Sequence, residues 1–224
     1  MSIKTIFKIS AAAFAFTIAA AASADLMTNG SFETPDLDSV DNNGGSSWEV
    51  FDSIDGWGTV SGTGIEIQQS GTVVNAQHGD QYVELDSHRV RGSNGSTNSF
   101  MAQSFNGLST GGLYELSFWY RPRTNNSGDD NGINVYWETM FDVNSSPVMA
   151  VSEQRSDMNS WTNFSTLLVA TASEMSLGFE AFGTANTLGG FLDNVTLTEV
   201  PEPATFALLA LGIAGLGAAR RRKA

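Results

Sequence analysis

Leu113-Tyr114-Glu115-Leu116-Ser117-Phe118-Trp119-Tyr120 is the stretch on which the fold turns. Successive side chains of an extended chain point to opposite sides, so Tyr114, Leu116, Phe118 and Tyr120 share one face while Leu113, Glu115, Ser117 and Trp119 share the other. The first set is large and apolar and is read as buried. The second mixes charge with apolar surface and is read as the outer face of a strand.

Working outward, the same reading recurs at 100–105, 113–121, 133–139, 161–170, 175–182 and 191–198, all rich in aromatic and β-branched residues. Asn106-Gly107, 109–112, 125–132, 144–147 and Gly189-Gly190 separate these runs with residues that suit tight turns. No stretch between the chain ends has a 3.6-residue apolar period, and no internal repeat is visible. The expectation is one all-β domain over 25–199, an antiparallel β-sandwich of jelly-roll rather than immunoglobulin-like topology.

The two ends read as addresses. Lys4 and Lys8, an apolar stretch to Ala21 and Ala22-Ser23-Ala24 have the layout of a secretory signal peptide over 1–24, to be removed by signal peptidase before Asp25. At the other end, Pro201-Glu202-Pro203 stiffens a stalk over 200–203. An uncharged run follows over 204–219, and a basic end over 220–223 containing Arg220, Arg221 and Arg222 closes the chain. As a helix the run is about 24 Å long, short of a hydrocarbon core of about 30 Å, with snorkelling basic side chains supplying the remainder. This tail resembles the PEP-CTERM sorting signal of Gram-negative, exopolysaccharide-producing bacteria. The resemblance implies an exosortase partner, an inner-membrane intermediate held by a transmembrane helix, and final delivery to the cell surface or extracellular matrix.

Charge separates the domain from these ends. Six of the 11 basic residues lie in the targeting segments, leaving five arginines and no lysine against 23 acidic residues between Asp25 and Val200. A formal charge near −18 excludes a nucleic-acid partner, since phosphate binding needs the opposite sign over a contiguous surface. Divalent cations or extracellular solubility suit it better. With no cysteine, stability comes from the core without disulfides.

Asn29-Gly30-Ser31-Phe32-Glu33, Gly56-Trp57, Gly64-Ile65-Glu66-Ile67, 79–86 and Leu192-Asp193-Asn194-Val195 are similar to segments of galactose-binding-like jelly rolls, including carbohydrate-binding modules. The resemblance implies a structural Ca2+ held by Glu33, Asp193 and backbone carbonyls. The alternative is that both carboxylates cap turns or accept backbone amides. A second calcium-like spacing, Ser127-Gly128-Asp129-Asp130-Asn131-Gly132 with Glu138, is read as a hairpin turn, because Glu138 sits too far along an extended strand to close on an ion.

Catalytic signals are sparse. The two histidines, His78 and His88, read as loop-end surface residues, and no G-x-S-x-G or H-E-x-x-H spacing occurs. Among 23 carboxylates a pair at glycosidase separation arises by chance, so it carries no weight for a glycoside-active enzyme. Sugar binding needs an exposed aromatic face with polar partners. Trp119, with Arg121 and Glu115 on the same face of its strand, is the expected platform. The sequence thus points to a non-catalytic, exported sandwich that associates with exopolysaccharide, with a ligand-free structural role at the surface or in biofilm as the alternative.

Overall fold

In the computed structural model the residues described are 23–38, 47–88, 96–124, 130–142, 145–152, 160–201 and Gly212. Ser23–Val200 forms one compact unit, and Met1–Ala22 with Pro201–Ala224 forms another. The signal-peptide reading lies outside the described residues but for Ser23 and Ala24, and the sorting tail but for Val200, Pro201 and the helical Gly212. No helix among the described residues is long and apolar enough to cross a membrane.

The larger unit is a two-sheet antiparallel sandwich. Its strands are β1 (Trp48–Phe51), β2 (Ser53–Ile54), β3 (Trp57–Ser61), β4 (Ile65–Gln69), β5 (Gln81–Glu84), β6 (Phe100–Asn106), β7 (Leu113–Arg121), β8 (Gly132–Glu138), β9 (Met149–Val151), β10 (Thr162–Val169), β11 (Glu174–Phe182) and β12 (Phe191–Glu199). One sheet has the order β1-β4-β5-β12-β7-β10 and the other β2-β3-β6-β11-β8-β9. From β5 to β8 the chain changes sheet at every connection, and it does so again from β9 to β12.

The six runs read from the sequence are β6, β7, β8, β10, β11 and β12, with ends displaced by a residue at most. Their two-residue alternation builds the core. Tyr114, Leu116, Phe118 and Tyr120 of β7 are buried, as are Met175, Leu177, Phe179 and Ala181 of β11 in the opposing sheet. Phe118 and Phe179 meet edge-on across the sandwich, ring centroids 5.3 Å apart. In β4 the same alternation puts Ile65 and Ile67 on one face and Glu66 and Gln68 on the other, and with Val83 beside Ile67 and Glu84 beside Glu66 in β5, both faces are buried.

The first residues of the unit are held by side chains from distant strands. Leu26 N donates to Leu197 O at 2.8 Å. The Gln103 amide exchanges two hydrogen bonds with the Thr28 backbone. Gln81 binds Phe32 O, Pro35 O and Leu37 N. β12 changes register between Asp193 and Thr196, and Val195 N there donates to Gly30 O at 2.8 Å. A Cβ at residue 30 would fall 2.0 Å from Val195 O, so only glycine permits this approach.

Truncating a side chain shared by both sheets should be costly. Phe179→Ala is expected to lower unfolding free energy by about 3–5 kcal/mol, whereas Leu167→Ala, at a position 60% exposed on edge strand β10, should change it by less than about 0.5 kcal/mol. Urea unfolding of the two variants checks the assignment of faces.

Candidate functional site

β11 lies between β6 and β8, so its outward residues Ser176, Gly178 and Glu180 sit at the middle of an open sheet face. Phe100 from β6 and Tyr136 from β8 flank it, and Phe141, just beyond β8, folds back over the same place. Phe100 lies 5.1 Å from Tyr136 and 4.9 Å from Phe141, with Tyr136 and Phe141 6.2 Å apart and nearly perpendicular. The three rings fit because residue 178 has no side chain. A Cβ there would come within 2.4 Å of the Phe100 ring and 3.1 Å of Phe141.

Beside the rings opens a cleft of about 430 Å³, bordered by Val60, Ser61, Asp142, Ser145 and Glu180. The Tyr136 hydroxyl donates to Glu180 Oε2 at 2.6 Å and accepts from Asn134 Nδ2 at 3.4 Å. Burial, reinforced by the Glu180 carboxylate, pushes the Tyr136 hydroxyl up to about 12, so its proton stays in place. Glu138 braces one wall by accepting from Ser145 Oγ at 2.6 Å and from Ser146 N at 3.1 Å. It is therefore occupied at the far end of β8 from 127–132, as the extended-strand argument requires, and residues 127–129 of that loop lie outside the described residues. Aromatic surface with a few fixed polar groups beside it is the composition of a small-molecule or sugar site.

The opposite sheet carries the residues singled out from the sequence. Trp119, Arg121 and Glu115 occupy the outer face of β7, with Glu115 exposed and the other two half-buried. Trp119 stands between Asp193 of β12 and Asn163 of β10. Further along this face, toward β4 and β5, lies a buried polar network that the sequence did not announce. Glu66 and Glu84 are direct cross-strand neighbours, both fully buried, and Gln68 Nε2 donates to both, at 2.8 and 2.6 Å. Arg123 pairs with Glu84, whose Oε1 also accepts from Gly189 N at 2.8 Å. His88, expected at the surface, is only half-exposed. Its ring stacks on Trp48 at 4.3 Å with Nδ1 2.9 Å from Glu66 Oε2.

Glu33 and Asp193 converge on one loop. Glu33 Oε1 accepts from Asp80 N and Gln81 N, both at 3.1 Å. Asp193 Oδ2 accepts from Gln77 N and His78 N at 2.7 and 2.9 Å, and Oδ1 from Asn194 N at 2.6 Å. Three of the four oxygens thus face amide hydrogens, the arrangement of a loop clamp. A calcium ion takes six to eight oxygens, and among the described residues no group of three acidic or histidine side chains is placed to hold a metal.

Comparison with known proteins bears on the tail and on the fold. The PEP-CTERM protein-sorting motif matches residues 199–223, which assigns the tail to sorting and export. Halomucin of Haloquadratum walsbyi is 27% identical over 182 residues, 80% of this chain and 2% of Halomucin, so the chain spans a small fraction of this curated relative. A cyclase from Fischerella sp. TAU, solved in complex with 4-(1H-indol-3-yl)butan-2-one, shares the fold at 15% identity with a TM-score of 0.54, over 81% of this chain and all of that one. The carbohydrate-binding module TmCBM61, solved with β-1,4-galactotriose, aligns at 16% identity and a TM-score of 0.42, over 80% of this chain and all of the module.

Two predictions follow from the carboxylates. Burial pushes the Glu84 carboxyl up from 4.5 to about 8 against the pull of Arg123, and Asp193 up from 3.8 to about 7 against its amide hydrogen bonds. Between the ordinary and the raised values the folded chain keeps protons that the unfolded chain releases, so stability falls as pH rises from about 4.5 to about 8. Melting temperature measured across that window should decline, and Glu84→Gln should flatten the decline. The loop clamp at Glu33 and Asp193 predicts coincident melting curves in EDTA and in millimolar calcium. A calcium-dependent rise of several degrees would instead make the pair a cation site.

Proposed function

We propose that the chain is an exported cell-surface or extracellular-matrix protein of a Gram-negative bacterium whose sandwich, of galactose-binding-like jelly-roll type, binds exopolysaccharide without cleaving it. Signal peptidase and exosortase handle the two ends, with an inner-membrane intermediate held by the apolar tail. The single observation that carries the binding reading is the cleft beside Phe100, Tyr136 and Phe141. Phe141, half-buried, offers ring surface at the cleft, and Glu180 with its hydrogen-bonded tyrosine supplies fixed polar groups for sugar hydroxyls. A non-catalytic role is in keeping with the same cleft, where Glu180 Oε2 holds the Tyr136 proton and no histidine is among the described residues that border it. The platform at Trp119, Arg121 and Glu115 is the alternative location, on the other sheet.

Retention of the protein on immobilised exopolysaccharide and on a glycan array tests this. Phe141→Ala should weaken binding by tenfold or more, since about 1.4 kcal/mol of lost stacking is a factor of ten. Trp119→Ala should leave it unchanged. The reverse pattern would move the site to β7, and no retention of the unaltered protein on any glycan would leave the structural, ligand-free role.

A further inference from the structure

We propose that the cleft beside Phe141 selects sugars bearing a free ammonium group, and rejects uronates and sulfated sugars. The inference rests on the binding reading above and adds the chemical class of the ligand.

Apart from the Ser61 hydroxyl, which can donate or accept, the polar side chains described at the cleft turn acceptors toward it. Glu180 uses Oε2 to accept the Tyr136 proton, and its Oε1 makes no hydrogen bond among the described residues. The Tyr136 hydroxyl has its one proton committed to that carboxylate, so toward a ligand it offers only a lone pair. Ser145 Oγ has its proton committed to Glu138 while accepting from Asp142 N at 2.9 Å. Asp142, exposed at the rim, adds negative charge on this side but is not part of the set. A ligand that satisfies this set must bring donors, and an ammonium brings three in one group.

Charge points the same way. Among the described residues that border the cleft none is basic. The domain has no lysine, and of its five arginines the two described, Arg121 and Arg123, belong to the end and sequel of β7 in the other sheet. A uronate or sulfate in this cleft would face the Glu180 carboxylate with no positive charge among the described residues that border it, the arrangement by which binding sites reject a wrong partner. The ring faces of Phe100, Tyr136 and Phe141 carry negative quadrupole potential and add attraction for a cation held nearby. An amino sugar therefore lays its apolar ring face on Phe141 and turns its ammonium toward Glu180 Oε1.

The test is calorimetric titration of the full-length chain with three matched trimers: β-1,4-linked glucosamine, N-acetylglucosamine and galacturonate. The glucosamine trimer should bind at least tenfold more tightly than its acetylated counterpart, with no measurable binding of galacturonate. The preference should shrink as pH is raised until the amine is neutral. Because so acidic a domain attracts any cation diffusely, Glu180→Gln is compared with Glu174→Gln, an exposed carboxylate at the start of the same strand. Loss of the preference in Glu180→Gln alone supports the inference, and equal loss in both variants overturns it in favour of diffuse attraction. Equal affinity for the glucosamine and N-acetylglucosamine trimers, with both weakened by Phe141→Ala, overturns the ammonium selectivity while leaving the binding reading intact. Tightest binding of galacturonate overturns the selectivity as well. Binding of none of the trimers, together with no retention on any glycan, defeats both readings.

Discussion

β11 must satisfy two faces at once, and the rest of the molecule is arranged around that constraint. Its inward residues Met175, Leu177, Phe179 and Ala181 close the core against the other sheet, while Ser176, Gly178 and Glu180 face outward between two neighbouring strands. The alternation has a period of two, so a one-residue slip would put Glu180 into the core and the leucine and phenylalanine into solvent. Long pairings on both sides fix the register over seven residues each. That rigidity is what makes the outer face usable, since a cleft built on a central strand keeps its geometry better than one built on loops alone.

The fold was legible in the sequence to different depths along the chain. From residue 100 onward, strands with one apolar and one polar face show themselves directly, and β7 is the clearest case. Before residue 100 the strands are shorter, and in β4 and β5 the polar side chains that would mark a solvent face are buried. IEIQQ alternates as a half-buried strand does, yet Glu66 and Gln68 are buried with Glu84 in a hydrogen-bonded network rather than turned to water. No local pattern reports such a network, because its members, from Glu66 to Arg123, are brought together only by sheet pairing. The contacts of His88 are hidden for the same reason: its partners Trp48 and Glu66 lie 40 and 22 positions away in the chain.

The candidate cleft was less visible still. Phe141 follows β8 in a stretch with no strand signal, and its ring reaches the sheet by lying over Gly178, 37 positions later. A glycine in the middle of an otherwise well-formed strand was the one hint available, since it marks a place where another group approaches the backbone closely. Other large aromatic residues have structural work. Trp57 and Trp137 are core residues, Tyr82 is fully buried, and Trp161 donates its indole N–H to Asn75 O at 2.9 Å. The carboxylates divide similarly. Glu33 and Asp193 hold the 77–81 loop through amide hydrogen bonds, and Glu84 anchors Gly189 and Arg123. In a domain without disulfides such buried acceptors tie loops to the sheets, and leaving any of them unpaired would cost about 1–3 kcal/mol.

The outer face of the β6-β11-β8 sheet is where we propose that this protein meets a glycan. Backbone amide shifts of the 15N-labelled chain, followed by NMR while polysaccharide fragments are added, test it most directly. The account predicts dose-dependent shifts gathered at Tyr136, Phe141, Gly178 and Glu180, with the amides around Trp119 and Asp193 unmoved. Shifts gathered at Trp119 and Arg121 instead, or an unchanged spectrum with fragments that the intact protein retains, would contradict it.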